Sequence, residues 1–201
     1  MTPTRIASFG RPKTPDELAL AVDITIKEQI ASLKFPTSGH LQENCVHQLV
    51  RHNRSPDFIR QIANVKPLTW ENVDKHPFNQ KDGSDQKTTP LVLAAALNKT
   101  EHAIALVLGG ASERMVDIWG RTALHYAVMH GNAALVEVLL ADRRPYNIED
   151  AKKLTPLNYL VVPERSKEGL KNYGREFKPF DREEIRELFS KRMSEDKKCR
   201  R

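Results

Sequence analysis

The stretch TALHYAVMHGNAALVEVLL, residues 122–140, frames His125 with small apolar side chains. An imidazole titrates near neutral pH and is the commonest general base, so this is where chemistry would first be sought. A catalytic base also needs a nucleophile to activate and a third group to orient it, and no such partners are spaced near His125. The seven histidines are scattered, and no phosphate-cradling glycine loop is present. Cys45 and Cys199 are the only cysteines, too few and too far apart for a disulfide framework or zinc-ligand spacing. The chain therefore reads as a non-enzyme with no cofactor and no metal. His125 becomes a question of architecture.

Three threonines, Thr89 in TTPLVLAAAL, Thr122 in RTALHYAVMH and Thr155 in LTPLNYLVVP, are separated by 33 and 33 residues. Fixed self-similarity at such a period marks stacked supersecondary units. The segments before them, SDQKTT, DIWGRT and DAKKLT, follow an Asp, x, x, Gly, x, Thr pattern that is fullest in the middle copy, with Asp117 and Gly120. Downstream, GNAALVEVLL sets Leu135, Val136, Leu139 and Leu140 on one helical face, and IALVLGGA ends a helix at Gly109 and Gly110, expected as a left-handed cap.

These residues resemble the ankyrin repeat. The middle copy carries Thr122, Leu124, His125, Ala127, Gly131, Leu139 and Leu140 of that pattern. The first carries Thr89, Pro90, Leu91, Ala94, Leu106, Gly110 and Ala111, with Val92 where His is usual and Asn98 where Gly is usual; the third carries Thr155, Pro156 and Leu157 and then departs. The resemblance implies an all-α solenoid of helix-turn-helix units in which Thr122 starts a helix and His125 bonds the turn backbone of neighbouring repeats. It also implies a non-catalytic module that binds a partner protein through a concave face of fingers and first helices. The positions so implied are Ile118, Trp119, Arg121, Tyr126, Met129 and His130 in the middle copy, and Lys152 and Tyr159 in the third. Asp85, Gln86 and Thr88, with Ala151 and Leu154, occupy corresponding places. Trp, Tyr, Arg and Met are enriched at interface centres. The plainer alternative is that Trp119 and Tyr126 fill gaps between repeats.

The repeats are expected over residues 84–190, as 84–116, 117–149 and 150–190, the last with an insertion at 161–180. The insertion is measured by Ile185, which stands 49 residues after Val136 instead of 33. Ile185, Leu188 and Phe189 should complete the third repeat, and the inserted VVPERSKEGLKNYGREFKPF reads as a surface loop or a partner-binding projection. Residues 1–83 are expected to form a helical N-terminal cap. Within it, Thr14 caps a helix with a stripe of Leu18, Val22, Ile26, Ile30 and Leu33; Asn44 and His47 fit the Thr and His positions of a degenerate repeat at best; and Trp70, Val73 and Phe78 would pack locally.

The net charge of +6 is too mild to indicate a nucleic-acid binder, and the last eleven residues, KRMSEDKKCRR, supply +4 of it. Residues 191–201 are therefore expected to be a mobile basic tail, with charge-mediated attachment to nucleic acid or an anionic membrane as one alternative function. Glu183, Glu184, Glu187 and Glu195 are similar to a glutamate-rich type IV translocation signal, which implies a second alternative. That alternative is an ankyrin effector delivered into a host cell by an intracellular bacterium. An amphipathic helix would produce the same letters. No apolar stretch suits a secretory signal or a membrane span, so a cytoplasmic, reducing location is expected.

Overall fold

The computed structural model of the protein describes residues 45–64, 81–82, 86–141 and 145–199. The helix expected at 14–33, Asn44, the segment bearing Trp70, Val73 and Phe78, and Asp85 lie outside them. The described residues form helices without strands: α1 Cys45–Arg51, α2 Asp57–Asn64, α3 Pro90–Ala96, α4 Thr100–Leu108, α5 Ala123–His130, α6 Ala133–Leu140, α7 Asn158–Val161, α8 Pro163–Lys171 and α9 Glu183–Cys199. They stack as an all-α solenoid in two layers. First helices α1, α3, α5 and α7 pack in sequence on one side, and second helices α2, α4, α6 and α9 on the other.

Small residues set the stacking distance. Every residue of α3, PLVLAAA, is buried, as suits a helix with neighbours on all sides. Ala94, Ala95 and Ala96 let α1 and α5 approach it closely. Helix α5 begins with a reciprocal cap: the amide of Thr122 donates to His125 Nδ1 at 3.0 Å, and His125 N–H lies against the Thr122 side chain. It ends at Gly131, which is left-handed at φ 70°.

That left-handed position recurs. Asn53 (φ 52°) and Asn98 (φ 55°) stand six residues after His47 and Val92, as Gly131 stands six after His125. A neighbouring side chain reaches back each time: Lys99 Nζ donates to Asn53 Oδ1 at 3.0 Å, and Asn132 Nδ2 to Asn98 Oδ1 at 2.8 Å. Residues 45–64 thus have the geometry of a repeat, fuller than the degenerate unit their letters suggested. Asparagine serves for glycine because its short polar side chain tolerates φ > 0.

Three further expectations are corrected. Residues 161–180 are not wholly loop: Pro163 at the first turn starts α8, and residues 172–180 then return without regular structure. Residues 191–199 continue α9, with Arg192 buried against Asp196 and 5.5 Å from the Tyr146 ring, so the segment is helical where a tail was expected. Gly109 has φ −79°, and only Gly110 is left-handed. Ile185 and Phe189 are buried against α6, as the 16-residue offset requires, while Leu188 is half-buried.

Candidate partner-binding site

Each finger is pinned at its base by an aspartate that precedes a first helix. Asp117 Oδ1 accepts the amides of Trp119 and Arg121, both at 2.9 Å, and its Oδ2 accepts the Tyr126 hydroxyl at 2.6 Å. One repeat on, Asp150 accepts the amides of Lys152 and Leu154 at 2.8 and 2.9 Å and the hydroxyl of Tyr159. The first finger uses Asp82, which accepts the Thr88 amide at 2.8 Å and its hydroxyl at 2.9 Å. This finger is two residues longer, so Asp82 escapes the 33-residue period. Leu93 stands where Tyr126 and Tyr159 stand, and the Thr88 hydroxyl supplies the missing donor.

Adjacent fingers join through their backbones. Ile118 N donates to Gln86 O at 3.1 Å and Ala151 N to Trp119 O at 2.8 Å. Gly120 is left-handed at φ 73°, and a Cβ there would stand 2.9 Å from Ala151 N. In register with it, Lys87 and Lys153 adopt φ 46° and 60°. The left-handed turn recurs at all three of these positions although glycine is retained at one.

Histidines bolt the stack. With Nδ1 accepting from Thr122, His125 must carry its proton on Nε2, which donates to Leu154 O at 3.1 Å. His47 Nε2 makes the same bond to Thr88 O at 2.8 Å. His130 Nε2 donates to Ala96 O at 2.8 Å, and His102 Nε2 to Arg54 O at 2.5 Å. Burial, outweighing the backbone bond that opposes it, pushes His125 down to about 4 and lowers His102 and His130. These are neutral donors. In the third repeat, Asn158 keeps the capping half of the role: its Oδ1 accepts the Thr155 amide at 2.8 Å and hydroxyl at 2.9 Å.

The eight expected binding residues do converge on the side of the first helices and fingers, but most are covered. Arg121, Tyr126, Met129 and Tyr159 are buried. Trp119 is half-buried, with its ring edge-on to Tyr173 at 6.0 Å. His130 is half-buried and spent on Ala96. Ile118 stays 48% exposed at a finger tip, and Lys152 is exposed, 2.7 Å from Glu168. The cover is the insertion. Helix α8 packs across α5 and α7, placing backbone at Gly169 against Met129. Beyond it, Asn172 O accepts Gln86 Nε2 at 2.9 Å, Arg175 donates to Leu97 O at 2.7 Å, and the Phe180 ring sits where a Gly131 side chain would be.

Beneath this cover lies a charged and aromatic box. The Arg121 guanidinium is 5.6 Å from the Trp119 ring and 5.9 Å from the Tyr159 ring, and its Nε is 3.8 Å from Asp150 Oδ2. Its Nε and Nη1 are buried without a hydrogen-bond partner. Burial raises Asp117 despite the hydrogen bonds it accepts. Burial would also raise Asp150, but bonds from Tyr159 and the amides of Leu154 and Lys152 together hold it below the ordinary carboxylate range. Burial and Asp150 push Tyr159 up to about 12, so it remains a phenol. The box thus sets a carboxylate held low, Asp150, against one raised by burial, Asp117, one repeat apart. Sequence reasoning missed Tyr173, Leu170 and Gly169 as parts of this site, although Ser166, Gly169, Leu170 and Tyr173 fall at i, i+3, i+4 and i+7 in the insertion.

The chain is similar to inversin: 36% identical over 87 residues to the Homo sapiens protein, covering 43% of this chain, and 37% identical over 79 residues to the Gallus gallus protein, covering 39%. It spans only 8% and 7% of those relatives. A family described as ankyrin repeats (3 copies) matches residues 41–152, from the α1–α2 unit into the third finger. The family's repeats are in general protein-interaction modules and typically non-catalytic. On that match, the chain belongs to the ankyrin repeat family.

Proposed function

We propose that this protein binds a partner protein on the side of its fingers and first helices, with Ile118 and Lys152 making the first contact. The observation that carries the reading is Ile118: a large apolar side chain held 48% exposed on a finger bonded to both neighbours. An exposed hydrophobe on fixed backbone loses little freedom on binding, so its burial contributes affinity with a small ordering cost. Lys152 and Glu168, exposed and paired with each other at 2.7 Å, can exchange that pair for one with a partner. The box of Trp119, Arg121, Tyr126, Met129 and Tyr159, with His130 at its edge, lies directly behind this rim. Among the described residues no helix is long and apolar enough to cross a membrane.

Proximity labelling with wild type beside Ile118→Asp and Lys152→Glu tests the reading. Leu108→Ser is the matched control, because Leu108 is 74% exposed at the end of α4 in the other layer. Loss of the same labelled proteins in both finger variants, with retention in the control, is expected. Identical labelling in all four proteins would overturn it.

A further inference from the structure

The segment joining α7 to α9 lies on the groove as a bound helix would. The buried face of α8 and the turn after it consists of Ser166, Gly169 and Leu170, with Tyr173 half-buried beyond, at helical spacings i, i+3, i+4 and i+7. Glu164, Arg165, Lys167, Glu168 and Lys171 face solvent. The backbone comes so close that a Cβ at Gly169 would stand 2.6 Å from Met129 Sδ. Repeat stacking does not pass through this helix: α9 reaches α6 through Ile185 and Phe189, in line with α2, α4 and α6. The fit is also incomplete: Arg121 Nη1, beside Gly169 under α8, is buried with no hydrogen-bond partner, and Nε faces Asp150 only at 3.8 Å. An unsatisfied buried donor favours any occupant that supplies an acceptor.

We propose that residues 163–180 are a tethered ligand of the groove, and that the partner is an amphipathic helix of the same pattern which displaces them. That helix presents small, small, Leu and aromatic side chains at i, i+3, i+4 and i+7, with an oxygen acceptor beside the second small residue for Arg121. Pro163 begins the displaced segment, and Gly174, left-handed at φ 63°, lies at the turn after it, with nothing within 4 Å of where a Cβ would stand. The inference rests on the partner-binding reading above and adds the class of partner and the means by which access is controlled.

The test uses the full chain and a labelled synthetic peptide of residues 161–182 as the probe. In Gly169→Val the added side chain meets Met129 and lifts α8, so the variant should bind the peptide at least about tenfold more tightly than wild type does. Hydrogen exchange on wild type gives a second reading that needs no variant: α8 amides should exchange at least about tenfold faster than those of α5, through local opening. No peptide uptake by a folded Gly169→Val chain would overturn the proposal. So would dimerisation without uptake, which would give the groove to a second copy. If the variant does not fold, wild-type exchange decides: α8 and α5 amides exchanging together would make α8 part of the repeat core. Neither measurement involves the partner, so either can fail while the Ile118 result stands.

Discussion

The ring of Tyr173 stands edge-on to that of Tyr126, with 5.2 Å between centroids and 80° between planes. Tyr126 is fixed from below by Asp117, so an aromatic from the insertion closes over a first-helix aromatic whose hydroxyl is already spent. The Tyr173 hydroxyl reaches the same Asp117 oxygen at only 3.4 Å. Tyr173→Phe should therefore cost less than about 0.5 kcal/mol, whereas Tyr173→Ala should cost about 2 to 4 kcal/mol through lost ring contact. Urea denaturation of both variants separates the two contributions; equal losses would show the hydroxyl to be the anchor.

The finger positions give changes of opposite sign. Gly120→Ala places a Cβ against Ala151 N at a left-handed φ and should destabilise by about 2 kcal/mol or more. Lys153→Gly relieves a left-handed lysine at φ 60° in the matching position and should stabilise by up to about 1 kcal/mol. Its ion pair to Glu149, at 3.8 Å and largely exposed, adds little. Melting temperatures that fall for both variants would contradict the register of the fingers.

The period of 33 made the middle repeats legible because Thr89 and Thr122 cap first helices, Thr155 stands just before α7, and no insertion lies between them. His125 was readable as a bolt since its neighbours Thr122 and Gly131 kept their types. Asp82 was hidden by two extra finger residues, and the repeat at 45–64 by asparagine at its glycine position. The placement of the expected binding residues on the side of the first helices and fingers was legible, and their exposure was not. Tyr126, Met129 and Tyr159 do line the groove, yet whether an insertion leaves a groove or folds back into it depends on contacts between distant residues, such as Gly169 with Met129 and Phe180 with Gly131. Local pattern carries no such information.

Stability should fall on acidification. His125 is held near 4 in the folded protein by burial, below the ordinary value of about 6.5, so the unfolded chain takes up the proton first. The stability tied to its neutral form is fully present above about pH 6.5 and is lost as pH falls toward 4, a change on the order of 3 kcal/mol. His102 and His130, also lowered, act in the same direction. His125→Asn retains a helix cap of the kind Asn158 forms and should show a shallower loss over that range. An unchanged pH profile would remove His125 as its source.

Phe189→Ala should cost about 3 to 5 kcal/mol, since the ring is buried against α6 and edge-on to Tyr146 at 6.4 Å. Leu188→Ala, at a half-buried position, should cost less than about 2 kcal/mol. Truncation after Ser190 removes Arg192 from Tyr146 and should lower the melting temperature by a few degrees, by about 1 kcal/mol. Chemical denaturation of the three variants orders them; Leu188 as the costliest would place α9 in a different rotation.

The central claim is that the insertion fills the protein's own groove. Proton NOE measurements on the free chain test it most directly, because the Tyr173 ring lies 5.2 Å from that of Tyr126 and 6.0 Å from that of Trp119. Cross-peaks from Tyr173 ring protons to both partners, alongside those from His125 to Tyr159, are expected. His125 and Tyr159 cross-peaks with none from Tyr173 would mean intact repeats with an open groove, and would contradict the account.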